Sequence, residues 1–245
     1  MIEDEVLLAR GRRSEPRPPL VWIPAGLHER PEDLRSYLQD LIDRVDDGAL
    51  AGRSVSLPSV RPGRGSAGGR GEAVTLEPVE DVLLALGYCG NGLLGLASRR
   101  VRLAFPRVDD CISLFLNRGC TREEICRDAR AFYFTKGWLC HDNPMLESFD
   151  EWVRRFGPER ARRLRKVTMG AYERITLIDT GAFDVAEARR ETESLAGELD
   201  LDHTLVDGSI QLLERLFAGP WDSEIVALPV GEPITVTHLF GPDGC

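Results

Sequence analysis

The sequence predicts an α/β fold, a mainly parallel sheet with helices on both faces. Three observations point there. Short apolar runs alternate with stretches of helical periodicity. Some runs, such as Val82-Leu-Leu-Ala-Leu86, are apolar without alternation, as strands buried on both faces require. The loops that follow carry Cys, His, Asp and Trp, and open parallel sheets bind ligands beyond the carboxyl ends of their strands.

Residues 1–17 are polar, with Arg10-Gly-Arg-Arg13 and Pro16-Arg-Pro-Pro19, and read as a flexible lead-in. Leu20–Ile23 reads as the first strand. Leu34, Leu38, Leu41, Ile42 and Val45 share one stripe, which makes Pro31–Arg44 a helix. Residues 52–72 are Gly-, Ser- and Arg-rich and aperiodic, a flexible surface insertion. Strands follow at Val82–Leu86 and Val101–Phe105, with a glycine turn leading into a short helix, Leu93–Ala97, and another helix starting near Cys111. The remaining strands are Ala131–Phe134, Ile175–Ile178, Thr204–Val206 and Ile225–Leu228. The remaining helices are Glu147–Phe156, Pro158–Tyr172, Val185–Leu199 and Ser209–Phe217, the last capped by Ser209. Residues 18–245 form one domain in this reading, with two similar lobes, 18–119 and 120–245, as the alternative division.

Composition narrows the function classes. The 245 residues include 31 Lys and Arg against 40 Asp and Glu, a net charge of −9, which argues against nucleic acid and anionic membrane surfaces as partners. No apolar run approaches the roughly 18 residues that span a bilayer. The acidic start, Met-Ile-Glu-Asp-Glu, does not resemble a secretory signal. Six cysteines in a chain of this length point to reduced thiols or metal ligands, and so to a cytoplasmic protein.

The chemistry-bearing residues gather at predicted strand ends. Cys89 follows one apolar run, Cys111 follows the next, and His28 follows Leu20–Ile23. Two thiolates and an imidazole are the protein's share of a catalytic zinc site with one open position. Zinc is the first choice of divalent metal and iron the second. The opposing reading makes Cys89 and Cys111 small buried hydrophobes. Gly87, Gly90 and Gly92 permit either a tight turn or a close approach to a cofactor. A cysteine at the start of a helix is expected to have a lowered pKa. Asn91 is a candidate oxyanion donor. Of Asp109 and Asp110, one is expected to cap the following helix and the other to face the cleft as base or ligand-orienting group. Lys136 suits a carboxylate or phosphate. Trp138 and Asp179-Thr180-Gly181 would shape the cleft around a cofactor. A second group, Cys120, Cys126, Cys140 and His141, lacks the paired C-x-x-C spacing of a zinc knuckle. The basic run from Arg154 to Lys166 reads as a solvated helix face set against the acidic helix Asp184–Asp200.

The blocks G-Y-C-G-N-G-L-L-G-L, P-R-V-D-D-C-I-S-L-F-L, T-K-G-W, L-I-D-T-G and G-P-W-D, in this order, resemble the signatures of the domain-of-unknown-function 1638 family from about His28 to Gly231. The resemblance implies proximity to corrinoid-dependent methyltransferase systems, an association rather than a mechanism. The family pattern before the second cysteine resembles His-Asp-Cys, and here Asp109 stands in the histidine's place. The reading that results is a metal-dependent enzyme using His28, Cys89 and Cys111 to activate a small thiol or water for thiol or methyl transfer in one-carbon metabolism. Its rivals are a non-enzymatic metal- or corrinoid-binding accessory protein that partners a corrinoid protein or methyltransferase, and a metal-free enzyme with a cysteine nucleophile.

Overall fold

Within the computed structural model the described residues are 2–13, 18–24, 26–48, 79–117, 128–139 and 149–240, without the side chains of Phe149, Lys166 and Phe240. The predicted insertion 52–72, Cys120, Cys126, Cys140, His141 and Cys245 lie outside them. In chain order the elements are α1 (Glu3–Arg12), a 3-10 turn (Leu27–Glu29), α2 (Pro31–Asp46), β1 (Asp81–Leu83), β2 (Arg102–Pro106), α3 (Cys111–Leu116), β3 (Ala131–Phe134), α4 (Lys136–Leu139), α5 (Phe149–Phe156), α6 (Pro158–Met169), β4 (Arg174–Asp179), α7 (Val185–Leu199), β5 (Asp202–Asp207), α8 (Gln211–Ala218), β6 (Ile225–Leu228) and α9 (Val236–Phe240).

The strands form two three-stranded sheets rather than one, ordered β1-β2-β6 and β3-β4-β5. The second is wholly parallel. In the first, β1 runs parallel to β2 and β6 antiparallel to it. This is an α/β fold. Side-chain alternation explains why strands in the first sheet are apolar throughout. Leu103 and Phe105 of β2 face a core built with Leu34, Leu38 and Ile42 of α2, while Ala104 faces a core built with Val6 and Ala9 of α1 and Leu212, Leu213 and Leu216 of α8. In β4, Ile175 and Leu177 meet α7, and Ile178 joins the α1–α8 core. That shared core links the two sheets. A division at residue 120 would also take β6 from its partner β2.

Four expectations need correction. Leu20–Ile23 is not a strand: Pro18, Pro19 and Pro24 flank it and lack the N–H groups a ladder uses. Residues 3–12 of the expected lead-in form α1, with Val6 and Ala9 buried. The spacing of Ile2, Val6 and Ala9 is helical, but the arginine-rich surroundings obscure it. Leu93–Ala97 is a series of turns. Gly95 takes a positive φ of 80°, and the segment pairs with residue 234 through Gly95 N–H to Ile234 O and Ile234 N–H to Leu96 O, both 2.8 Å. Ser209 is not the cap of α8: the helix starts at Gln211 with Ile210 at the N-cap and no side-chain cap bond, and Ser209, one residue earlier, accepts from Gln211 N–H through its Oγ at 3.1 Å. In the basic run, Arg154 pairs with Glu151 of its own helix at 3.6 Å, and Arg155 and Arg160 lie over the Phe156 ring.

Asp46 fastens the end of α2 to the start of β2. Its buried carboxylate accepts from Ser98 Oγ at 2.6 Å and from the backbone N–H groups of Arg99 at 2.7 Å and Arg100 at 3.1 Å. Burial alone would raise its pKa, but these donors outweigh burial and hold it below the usual carboxylate value. Asp46→Ala removes the acceptor of all three, leaving Arg100 N–H only its 3.2 Å bond to Ser98 Oγ, and is expected to cost about 3 kcal/mol in a denaturant titration.

Candidate thiol site at the strand ends

The chains leaving β1 and β2 stay side by side. Tyr88 N–H donates to Val108 O at 2.9 Å and Cys89 N–H to Asp109 O at 2.8 Å. Gly87 makes this approach possible: a Cβ there would lie 2.6 Å from Asp110 Cα and 2.7 Å from its C and N. The turn then runs through three left-handed residues, Cys89 (φ 46°), Gly90 (φ 62°) and Asn91 (φ 81°). Gly92 packs on α2, where a Cβ would come within 2.6 Å of Leu34 Cδ2. Gly87 and Gly92 thus serve backbone and helix packing, and Gly90 supplies a left-handed φ.

The juxtaposition brings Cys89 and Cys111 close enough for the charge of one to act on the other. Burial, followed by the negative charge of Asp110, pushes the Cys89 thiol up to about 11, although backbone groups of Cys111 and Gly87 favour its thiolate. Burial, then Cys89, then Asp110 push Cys111 up to about 12, against the indole of Trp138. The expected lowering at a helix start is therefore reversed. Cys89 precedes turns rather than a helix, and at Cys111 the loss of water and the nearby negative charge outweigh the first turn of α3. Asp110 is the capping residue, accepting from Ser113 N–H at 2.8 Å. Asp109 is half-buried beside it.

Trp138 links this pair to His28. Its indole acts on the Cys111 sulfur, and its ring meets the His28 imidazole edge-on with centroids 5.6 Å apart. Its Nε1 is buried and has no acceptor of normal hydrogen-bond geometry among the described residues. His28 sits on the 3-10 turn, half-buried, with a pKa lowered by burial, so its ring favours the neutral form. Among the described residues, no three His, Cys, Asp or Glu side chains are placed so as to hold a metal ion. His28 faces Trp138 in a ring contact and would have to turn to share an ion with both sulfurs.

The other candidates fall nearby or turn aside. Asn91 is exposed, and its side-chain oxygen accepts from the Tyr88 hydroxyl in a short contact. Lys136 Nζ lies 3.1 Å from Asp4 Oδ2 of α1. Asp179 Oδ1 accepts from Gly181 N–H at 2.9 Å in a local turn, and Thr180 donates its hydroxyl to Glu5 Oε1 at 3.1 Å. Asp4 and Glu5 are the residues that sequence reasoning missed, because the segment carrying them read as a lead-in.

The fold and these side chains define an α/β protein with a half-buried thiol pair where two parallel strands end. The chain belongs to the family described as "Protein of unknown function (DUF1638)", which matches residues 22–217. No curated protein and no solved structure matches it. No helix among the described residues is long and apolar enough to cross a membrane.

Two outcomes follow from the geometry. Gly87→Ala is expected to cost about 2–4 kcal/mol, because the clash is with backbone that cannot rotate away; thermal and denaturant unfolding measure it. At pH 7, raising a thiol from 9.0 to about 11 lowers its thiolate fraction about 100-fold. Iodoacetamide labelling of Cys89, followed by peptide mass spectrometry, should therefore be about 100-fold slower in the folded protein than in urea.

Proposed function

We propose that the strand-end site is a soft-metal centre of a group-transfer enzyme, with Cys89, Cys111 and His28 as ligands. The observation that carries this reading is the pairing of two half-buried thiols at the ends of β1 and β2, with the His28 imidazole in contact with the Trp138 ring that meets Cys111. The donor set fits zinc first and iron second. Each thiol resists ionisation because its surroundings are dry and negative, and a divalent cation reverses both penalties at once. The metal-free nucleophile is the poorer reading, since a thiol pushed up to about 11 or 12 is almost wholly protonated at neutral pH.

Zinc, when bound, supplies the positive charge that keeps thiols ionised and can hold a further thiol in reactive form, as thiol or methyl transfer requires. The protein's own share is positional. Gly87 fixes the distance between the two cysteine segments, Asp110 anchors α3 on which Cys111 sits, and Trp138 excludes water between Cys111 and His28. Asp109 occupies the place of a histidine in the family pattern and is the residue for orienting His28.

Zinc titration against a competing chelator tests the reading. Wild type should bind one zinc, and Cys89→Ser and Cys111→Ser should each lose it while keeping their fold by circular dichroism. Binding should release close to two protons at pH 7, so affinity should rise by up to about 100-fold per pH unit below the thiol pKa values. Methylcobalamin with a small thiol probes transfer. Demethylation that requires zinc and both cysteines is expected, and zinc binding without demethylation would leave the accessory-protein reading.

A further inference from the structure

A second group of reactive side chains lies at the other end of the first sheet, where β6 leads into α9. β6 runs antiparallel to β2, with Ile225 opposite Pro106 and Leu228 opposite Leu103, so the chain leaving β6 moves away from the thiol pair. Two buried residues pin it. Ile234, 1% exposed, accepts from Gly95 N–H and donates to Leu96 O, both at 2.8 Å, and Leu239 is 2% exposed. Thr235 directly follows the first anchor and His238 directly precedes the second. His238 Nε2 lies 3.0 Å from Glu232 Oε1. His238 Nδ1 lies 3.1 Å from both the backbone nitrogen and the hydroxyl oxygen of Thr235.

These contacts fix where the protons sit. Nδ1 accepts from the Thr235 N–H and is therefore bare, so the ring proton is on Nε2 and is donated to Glu232. In its contact with Nδ1 the Thr235 hydroxyl is then the donor. A capping box accounts for half of this arrangement, since a side chain three residues into a helix commonly reaches back to the N-cap N–H. It does not account for the hydroxyl. An N-cap threonine ordinarily turns its oxygen to the N–H of the second or third helical residue. Here, among the described residues, the hydroxyl's partner is the imidazole. Thr235 is exposed, so its Oγ1 is open to a reacting molecule.

We propose that Thr235, His238 and Glu232 form an acyl-transfer relay, in which Thr235 Oγ1 attacks the carbonyl carbon of an activated ester. A hydroxyl touching a base that a third group orients is the arrangement nucleophilic catalysis uses. As the Oγ1–C bond forms, the hydroxyl proton passes to Nδ1, and the Glu232 carboxylate stabilises the resulting imidazolium through Nε2–H. The ester C–O bond breaks, and the leaving oxygen takes its proton from Nδ1 when it needs one. Water then attacks the acyl-threonine, His238 accepts its proton and returns it to Oγ1, and a carboxylic acid departs. Thr235 and His238 are catalytic residues, and Glu232 is a positioning residue acting through the ring. The inference does not rest on the metal reading, because the two sites lie at opposite ends of β2.

p-Nitrophenyl acetate is the probe. After an acid quench, peptide mass spectrometry of the wild type should find acetyl on Thr235. Thr235→Val and His238→Gln should each slow p-nitrophenolate release about 100-fold, the low end of what a positioned base contributes. Thr235→Ser keeps the hydroxyl and should keep the release. Glu232→Gln still accepts from Nε2–H and should retain more of it than Glu232→Leu, a difference that a purely structural role would not produce. Circular dichroism checks the fold of each variant, and the adduct is read on the wild type, so the test does not depend on any variant folding. Wild type without acetyl on Thr235, or unchanged release in folded Thr235→Val, overturns the proposal.

Discussion

The site depends on the contact between the Gly87 and Asp110 backbones. Parallel strands diverge once their ladder ends unless something holds the exits together. Here the ladder of β1 and β2 continues as single bonds from Tyr88 to Val108 and from Cys89 to Asp109, and Gly87 leaves room for the chains to touch. Both cysteines then fall within two residues of the contact. The second sheet uses the same device at a different place. A Cβ at Gly208 would lie 2.5 Å from Ile178 Cγ2, and Gly208 N–H donates to Asp179 O at 2.7 Å, so the exits of β4 and β5 are held together beside Thr180.

Asp46 and the thiol pair show what burial does when its compensation differs. Burial is the largest influence on all three groups and disfavours the charged form in each. Asp46 meets a hydroxyl and two backbone N–H groups, and the charged form wins. The thiols meet weaker compensation and two sources of negative charge, each other and Asp110, and the neutral form wins. Under the proposed reading, a cation would give the thiols what Ser98 and its neighbours give Asp46.

Much of this was legible in the sequence. Ala131–Phe134, Val185–Leu199 and Ile225–Leu228 coincide with their elements, because each is a short apolar run or periodic stretch bounded by turn or capping residues. The convergence of Cys89 and Cys111 was legible too, since two successive apolar runs each deliver a cysteine at their ends. The antiparallel course of β6 was not, because burial on both faces gives the same apolar run in either direction. Nor was the role of α1. Its burial rests on Val6 and Ala9 meeting α8 more than 200 residues later, a contact that no local window contains. The engagement of Lys136 by Asp4 stayed hidden for the same reason.

The backbone at Cys89 adds a final argument. Positive φ suits Gly90 and is tolerated by Asn91, whose side chain is held by Tyr88. Cys89 has no such advantage, and a left-handed conformation costs an ordinary L-residue about 1–2 kcal/mol. Glycine would form this turn with less strain. Packing does not require the thiol either, since Cys89 is only half-buried against the α2 core. A residue that neither the turn nor the core demands, held in a strained conformation next to a second thiol, supports the proposal that the site uses its sulfur.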